Sequence, residues 1–347
     1  ASDSLFFANS YLANGEACAA FCGPFTVSHH KSTLLIGGMH SFYNAGSNTN
    51  FSNHAYKMGP IHYGIMEHGA KTASGAHILW PAHIGAFSMC MGKIANHPDT
   101  SAMPFSYIIG DGKDTYIVPG RNLTTAGTYR DINKWPKRDI RPKDYRHSIL
   151  DASWLNAYSV GKMIKAKFEL ERMLDKQGRC DIYECADGCL IKKTSLHKGI
   201  SLYSMAIKMF LAGFLNADNV ENDNATTAYS EDKYAIDLSG LLISQQDVLN
   251  IVEAIQNGDI DNIADLKEAL DKAAALKEEN ERCLAANIAD RLYGWQSLDH
   301  EDRLDFIDSC RQARLLWLSE IRKDAEKEYE MGDVDKGLLN NFISKLV

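Results

Sequence analysis

Histidine is the residue type whose distribution first suggests chemistry. Ten of the 12 histidines fall within residues 1–150 of the 347. Imidazole titrates near neutrality, at about pH 6.5 when unperturbed, so a positioned neutral ring can act as a general base. His77 and His83 stand six apart in an Ala- and Gly-rich stretch, while His54, His62 and His68 punctuate a segment containing Asn and Gly. His83 is the favoured base, because Pro81-Ala82 before it has a fixed φ that holds the strand start in register. His77 is the next candidate, and His54 and His62 follow as loop residues that close over the same edge, with Asn53 orienting one imidazole. Lys71, Arg121 and Arg130 are the candidate phosphate contacts, and Trp80, between the two favoured histidines, is included with them as a substrate-binding residue.

Other chemistries find less support. His29-His30 and the three spaced histidines could supply zinc ligands, yet no His-x-x-x-His pair on a helix or accompanying carboxylate pattern goes with them. Cys180, Cys185, Cys189 and His197 lack a Cys-x-x-Cys knuckle and read as structural thiols. No metal is therefore expected. A Gly-x-x-x-x-Gly-Lys-Ser/Thr phosphate loop, a Gly-x-Gly-x-x-Gly turn and a Gly-x-Ser-x-Gly elbow are all missing, which removes nucleotide kinases, dinucleotide enzymes and α/β-hydrolases.

The elements that must carry these histidines are legible as a period of six. Residues 71–90 divide into Lys71-Thr-Ala-Ser-Gly-Ala, His77-Ile-Leu-Trp-Pro-Ala, His83-Ile-Gly-Ala-Phe-Ser and Met89-Cys. Thr72, Ile78, Ile84 and Cys90 then occupy one column, and Ala76, Ala82 and Ser88 the small-residue column four places on. That pattern predicts hexapeptide repeats forming a left-handed parallel β-helix, in which three short strands complete one triangular coil. Alternation along a strand turns Lys71, His77, His83 and Met89 outward. Upstream the same frame puts Phe6, Leu12, Cys18, Ile36 and Phe42 inward, with Ser10, Cys22 and Ser28 in the small column; Glu16, Pro24, His30 and His40 break it. Ile117, Leu123 and Tyr129, again six apart, predict one further coil.

These readings give a β-helix over 1–135 with a protruding loop at about 47–68, and a linker at 136–152 that Pro136 and Pro142 prevent from being one helix. A mainly α-helical domain follows over 153–347, with apolar residues at three- and four-residue spacing and a short hairpin near 179–193. Charge divides unevenly: residues 1–150 carry 13 Lys+Arg against 9 Asp+Glu, and residues 151–347 carry 24 against 36, for a net −8. An acidic chain without a basic block is a poor nucleic-acid binder. Without a readable signal peptide or a run of ~20 apolar residues, neither membrane insertion nor export is expected, and the chain reads as cytoplasmic with reduced thiols.

The stretches Ala19-Ala-Phe-Cys-Gly-Pro-Phe-Thr-Val-Ser-His-His-Lys-Ser-Thr-Leu-Leu-Ile, Ser52-Asn-His-Ala-Tyr-Lys-Met-Gly-Pro-Ile-His-Tyr-Gly and Ile78-Leu-Trp-Pro-Ala-His-Ile-Gly-Ala-Phe resemble a bacterial family of long hexapeptide-repeat proteins with no established activity. Some members carry labels relating them to UDP-N-acetylglucosamine pyrophosphorylase or to acyltransferases. The resemblance covers roughly residues 5–145 strongly and the helical part loosely. The glycine loop of sugar-nucleotide pyrophosphorylases is absent here, so only their β-helix is implied. The resemblance implies the C-terminal part of a longer protein and acyl transfer to a sugar or sugar nucleotide, with a His general base. It further implies acyl-CoA as co-substrate, no bound cofactor, and a homotrimer with sites between chains. The competing expectation is a non-catalytic scaffold or a sugar- or nucleotide-binding module.

Overall fold

The computed structural model describes residues 1–51, 62–215, 234–332 and 335–346. His54 and Asn53, expected to contribute to the site, lie outside them. By internal contacts the chain forms two units: Ala1–Arg146 with Lys162–Ser204 and Leu318–Val347, and His147–Gly161 with Met205–Trp317. The expected single cut at 136–152 is thus replaced by interleaved segments.

The first unit is built on a β-solenoid. Two- and three-residue strands pair in parallel with their counterparts one coil away and stack into three sheets. Leu5, Phe21, Met39, Ile65 and His83 align in the first. Tyr11 and Val27 continue through Asn44 to Lys71, Met89 and Tyr107 in the second. Glu16 and Leu34 continue through Asn50 to His77 and Lys93 in the third. Alternation then sends the next residue inward, and Leu35, Phe51, Met66, Ile78, Ile84, Cys90, Ile94 and Ile108 are fully buried together.

Upstream, the frame departs from a strict period of six. Leu5 pairs with Phe21 sixteen residues on, whereas Phe21 pairs with Met39 eighteen residues on. The shorter coil slips the phase, so Ala17 and Leu35 point inward rather than Cys18 and Ile36. His40, expected to break the column, stands in it between Cys22 and Met66, and Phe42 sits at a corner instead. The expected protrusion is also narrower than 47–68, because Asn50 bridges two coils and Ile65–Met66 is already a strand.

The additional coil expected at Ile117, Leu123 and Tyr129 does not form. Tyr107–Asp111 folds back antiparallel onto Asp114–Val118 around Gly112-Lys113, with Gly112 at φ +62°. Glycine at the first central position of a two-residue hairpin loop supplies the positive φ that the turn needs. Leu123 then lies in a 3-10 turn and Tyr129 in helix α1 (Ala126–Ile132). The later hairpin, Ile182–Glu184 with Leu190–Lys192, extends this sheet through Tyr116 paired to Leu190.

Helices α2 (Ala157–Gln177), α3 (Lys193–Ala212) and α7 (His300–Met331) each contribute residues to both units. The second unit also holds α4 (Gln245–Asn257), α5 (Ile263–Ala275), α6 (Lys277–Tyr293) and the hairpin Ala235–Leu238 with Leu241–Ser244. Helix α8 (Lys336–Ser344) belongs to the first. No helix among the described residues is long and apolar enough to cross a membrane.

Candidate functional site

His83 projects from the first sheet, since its neighbour Ile84 is wholly buried and strand alternation turns it outward. Two residues past Ile65, its partner in the coil beneath, Glu67 shares that outward parity. The His83 Nε2 to Glu67 Oε1 distance is 2.7 Å. An ionised carboxylate only accepts, so Nε2 is the donating nitrogen and the neutral ring keeps its lone pair on Nδ1. Nδ1 lies 4.0 Å from Asp99 Oδ1, on the strand-like segment that pairs with His83 from the other side.

Glu67 also holds Lys162 of α2, whose Nζ donates to Oε1 at 2.7 Å, to Oε2 at 2.9 Å and to the Ser101 carbonyl at 2.9 Å. All three ammonium hydrogens are thereby used. The Ala86 amide donates to Oε2 at 3.0 Å. Burial opposes the charge on Glu67, but the His83 hydrogen bond and the Lys162 ammonium outweigh it and hold the carboxyl below its ordinary range. Asp99 is also held low: burial is overcome by hydrogen bonds from Ser101, with His83 and Lys162 adding to them.

Asp99 and Ser101 also form part of the wall of a cavity of about 490 Å³. This volume lies within the ~300–1,000 Å³ of small-molecule sites. Its charged lining is four carboxylates, Asp99, Glu169, Glu184 and Asp187, against Arg172 and Lys176. Asp187 fixes the mouth by accepting the Asp99 amide at 3.0 Å. Cys185 is in the wall, and burial followed by its acidic neighbours pushes its thiol up to about 12, so it is not a thiolate nucleophile.

The remaining expected residues do not gather here. His77 is half-buried on the third sheet, in register with Asn50 and Lys93. His62 is half-buried where the chain re-enters the coils. Lys71, on the second sheet, pairs with Asp131 at 2.9 Å. Arg121 reaches Asp324 at 3.4 Å and lies over the Tyr107 ring, and Arg130 reaches Glu328 at 3.4 Å. Trp80 must be corrected: it is 1% exposed, stacks on Phe51 at 4.7 Å and donates to the Ile36 carbonyl at 3.0 Å, so it is core and not substrate contact. Glu67, Asp99 and Lys162 were not anticipated. Among the described residues, no group of three or more His, Cys, Asp or Glu side chains is arranged to hold a metal ion.

Residues 1–174 match the model of a domain of unknown function, DUF4954. The chain belongs to the DUF4954 family. The DUF4954 match takes in the whole solenoid together with Glu67, His83, Asp99 and Lys162, whereas the cavity residues Glu184, Cys185 and Asp187 lie beyond it. A second match, over residues 216–335, is to another domain of unknown function, DUF6819. No curated protein and no solved structure matches the chain.

Proposed function

We propose that the solenoid is a left-handed β-helix of the hexapeptide-repeat type and that the chain transfers an acyl group from acyl-CoA to a sugar, with His83 as general base. The observation that carries this reading is the 2.7 Å contact between His83 and Glu67, with His83 Nδ1 4.0 Å from Asp99, a wall residue of a ligand-sized cavity. Glu67 orients the ring, and Nδ1 accepts the proton of an acceptor hydroxyl or amine as it attacks the thioester carbonyl. The thiol of CoA leaves with that proton. The cavity's excess of carboxylates favours a neutral or amino sugar, so the diphosphate of any sugar nucleotide would have to lie outside it.

A scaffold is the second reading, and one observation favours it: Lys162 is fully satisfied by Glu67 and Ser101, as in a strut between α2 and the coils. Thermal shift against acetyl-CoA, amino sugars and UDP-sugars separates the two. A ligand at 100 times its Kd should stabilise by about 2.7 kcal/mol. His83→Ala should keep the fold and lose a ~10²–10⁴-fold general-base contribution. If none of the ligands moves the melting temperature, the enzyme reading fails.

A further inference from the structure

A second cleft lies along one corner of the solenoid. At that corner Phe25, Phe42, Phe87 and Phe105 all adopt positive φ, between +50° and +57°. The conformation costs an L residue roughly 1–2 kcal/mol. Stacking offsets it: Phe42 lies 4.0 Å from the His68 ring, and Phe87 lies 4.6 Å from Phe105. Gly69 takes the corner position between Phe42 and Phe87. A Cβ there would come within 2.6 Å of Phe87 and 3.1 Å of Trp135, so the missing side chain is what lets Trp135 close against the ladder. Trp135 meets Phe42 edge-on at 4.9 Å.

The cleft beside this ladder has a volume of about 150 Å³, and its polar rim is cationic. Lys71, Lys134 and Arg138 face it with Asp131 as the sole acidic lining residue among the described residues, so these three cations leave an excess of two positive charges there. Asp131 binds Lys71 at 2.9 Å and Lys134 at 3.3 Å, which preorganises both ammonium groups. His29, also on the rim, is shifted down by burial, then by His30 and Arg138, so its charged form is disfavoured. An independent observation comes from the floor. Thr128 lines the cleft, is 3% exposed, and its hydroxyl has no hydrogen-bond partner among the described residues. Buried polar atoms normally find partners, and a ligand is one way to supply them.

We propose that this cleft binds a small oxyanion, either inorganic phosphate or a phosphate monoester, held by Lys71, Lys134 and Arg138 with Thr128 donating from below. The cleft admits the phosphate group and little else, so any sugar would extend into solvent. The proposal does not rest on acyl transfer at His83.

Isothermal titration of the whole chain with inorganic phosphate, and separately with glucose 1-phosphate, tests it. We expect saturable binding of at least one, weakening as NaCl is raised because the rim charges are partly exposed. Lys134→Ala/Arg138→Ala should weaken binding at least tenfold. Thr128→Val, which keeps the shape and removes the hydroxyl, should weaken it several-fold without lowering the ligand-free melting temperature. His83→Ala should bind as the parent does. Tighter binding of the ester points to a phosphorylated metabolite, and equal or weaker binding to free phosphate. Absence of saturable binding, or binding unchanged in the Lys134/Arg138 variant, overturns the proposal. Binding lost only in His83→Ala would move the anion to the other site and also overturns it.

Discussion

His40 and His83 stand on strands of one sheet, a single residue out of phase. Met39, Ile65 and His83 align on the outside, and His40, Met66 and Ile84 on the inside. His83 is clamped by a buried carboxylate, whereas His40 is 1% exposed, with Tyr43 and Phe51 rings at 5.0 and 5.3 Å. Burial drives the His40 ring down to about 4, against a weaker opposing influence of the Gly37 backbone. Strand parity therefore decides the surroundings of an imidazole here: the inward ring is buried and disfavoured from taking up a proton, and the outward ring is partly exposed beside carboxylates. Histidine count and spacing alone could not separate them.

The sharpest way to break the contrast is to remove the carboxylate on the outer side. Glu67→Ala leaves the Lys162 ammonium, 19% exposed, without its counter-charge, and strips His83 and the Ala86 amide of their acceptor. Removing one partner of a largely buried pair costs about 3–5 kcal/mol. Urea unfolding should show that loss, and a change below about 1 kcal/mol would mean that solvent already screens the cluster. The parent's dependence on pH should agree. With its folded pKa lowered, Glu67 contributes stability above its unfolded value that is lost as pH falls through the folded one.

On the inner side the effect is smaller and lies in a different pH window. The unfolded chain protonates His40 near 6.5, whereas the folded chain resists until about 4. Between those values the unfolded state holds more protons, so stability should fall as the pH is lowered, by about 3 kcal/mol in all. His40→Leu should flatten that part of the stability curve. A slope unchanged by the substitution would place the titration elsewhere. The same interior should reject added volume: a Cβ on Gly64 would sit 2.0 Å from the Trp80 ring, so Gly64→Ala should cost about 1–3 kcal/mol by thermal unfolding.

How far the sequence discloses these sites follows from coil length. Over 71–90 the coils are regular, so Thr72, Ile78, Ile84 and Cys90 fall in the buried column and His83 is correctly turned outward. Upstream, the sixteen-residue step from Leu5 to Phe21 slips the frame, which is why a strict period of six places Cys18 and Ile36 inward and makes His40 a break. The glycine at 112 marks the hairpin turn, but the six-residue spacing of Ile117, Leu123 and Tyr129 obscures it. Glu67 could have been found by parity, being two residues beyond the strand partner of His83. Lys162 could not, because its 95-residue separation from Glu67 is closed by the packing of α2, which leaves no local trace. Trp80 looked like a ligand contact for want of any signal that Phe51 would stack on it.

The smallest expected effect on stability carries the most weight for function. His83 is 33% exposed on its side chain, and its Nε2 contact is one of several that Glu67 makes. In His83→Ala, Lys162 and the Ala86 amide still satisfy the carboxylate, no internal cavity is opened, and one hydrogen bond to a charged group in partial contact with solvent is lost. That loss amounts to roughly 1 kcal/mol or less once screening is allowed for. Glu67→Ala and His83→Ala should therefore differ by several-fold in stability cost while both break the His83–Glu67 contact. If His83→Ala destabilises as much as Glu67→Ala, the ring is a structural member of the Lys162 strut and the scaffold reading gains. If it costs little yet abolishes turnover of a ligand found by thermal shift, the ring acts chemically. Adding imidazole to the His83→Ala protein should then restore part of the rate, which a purely structural role would not allow.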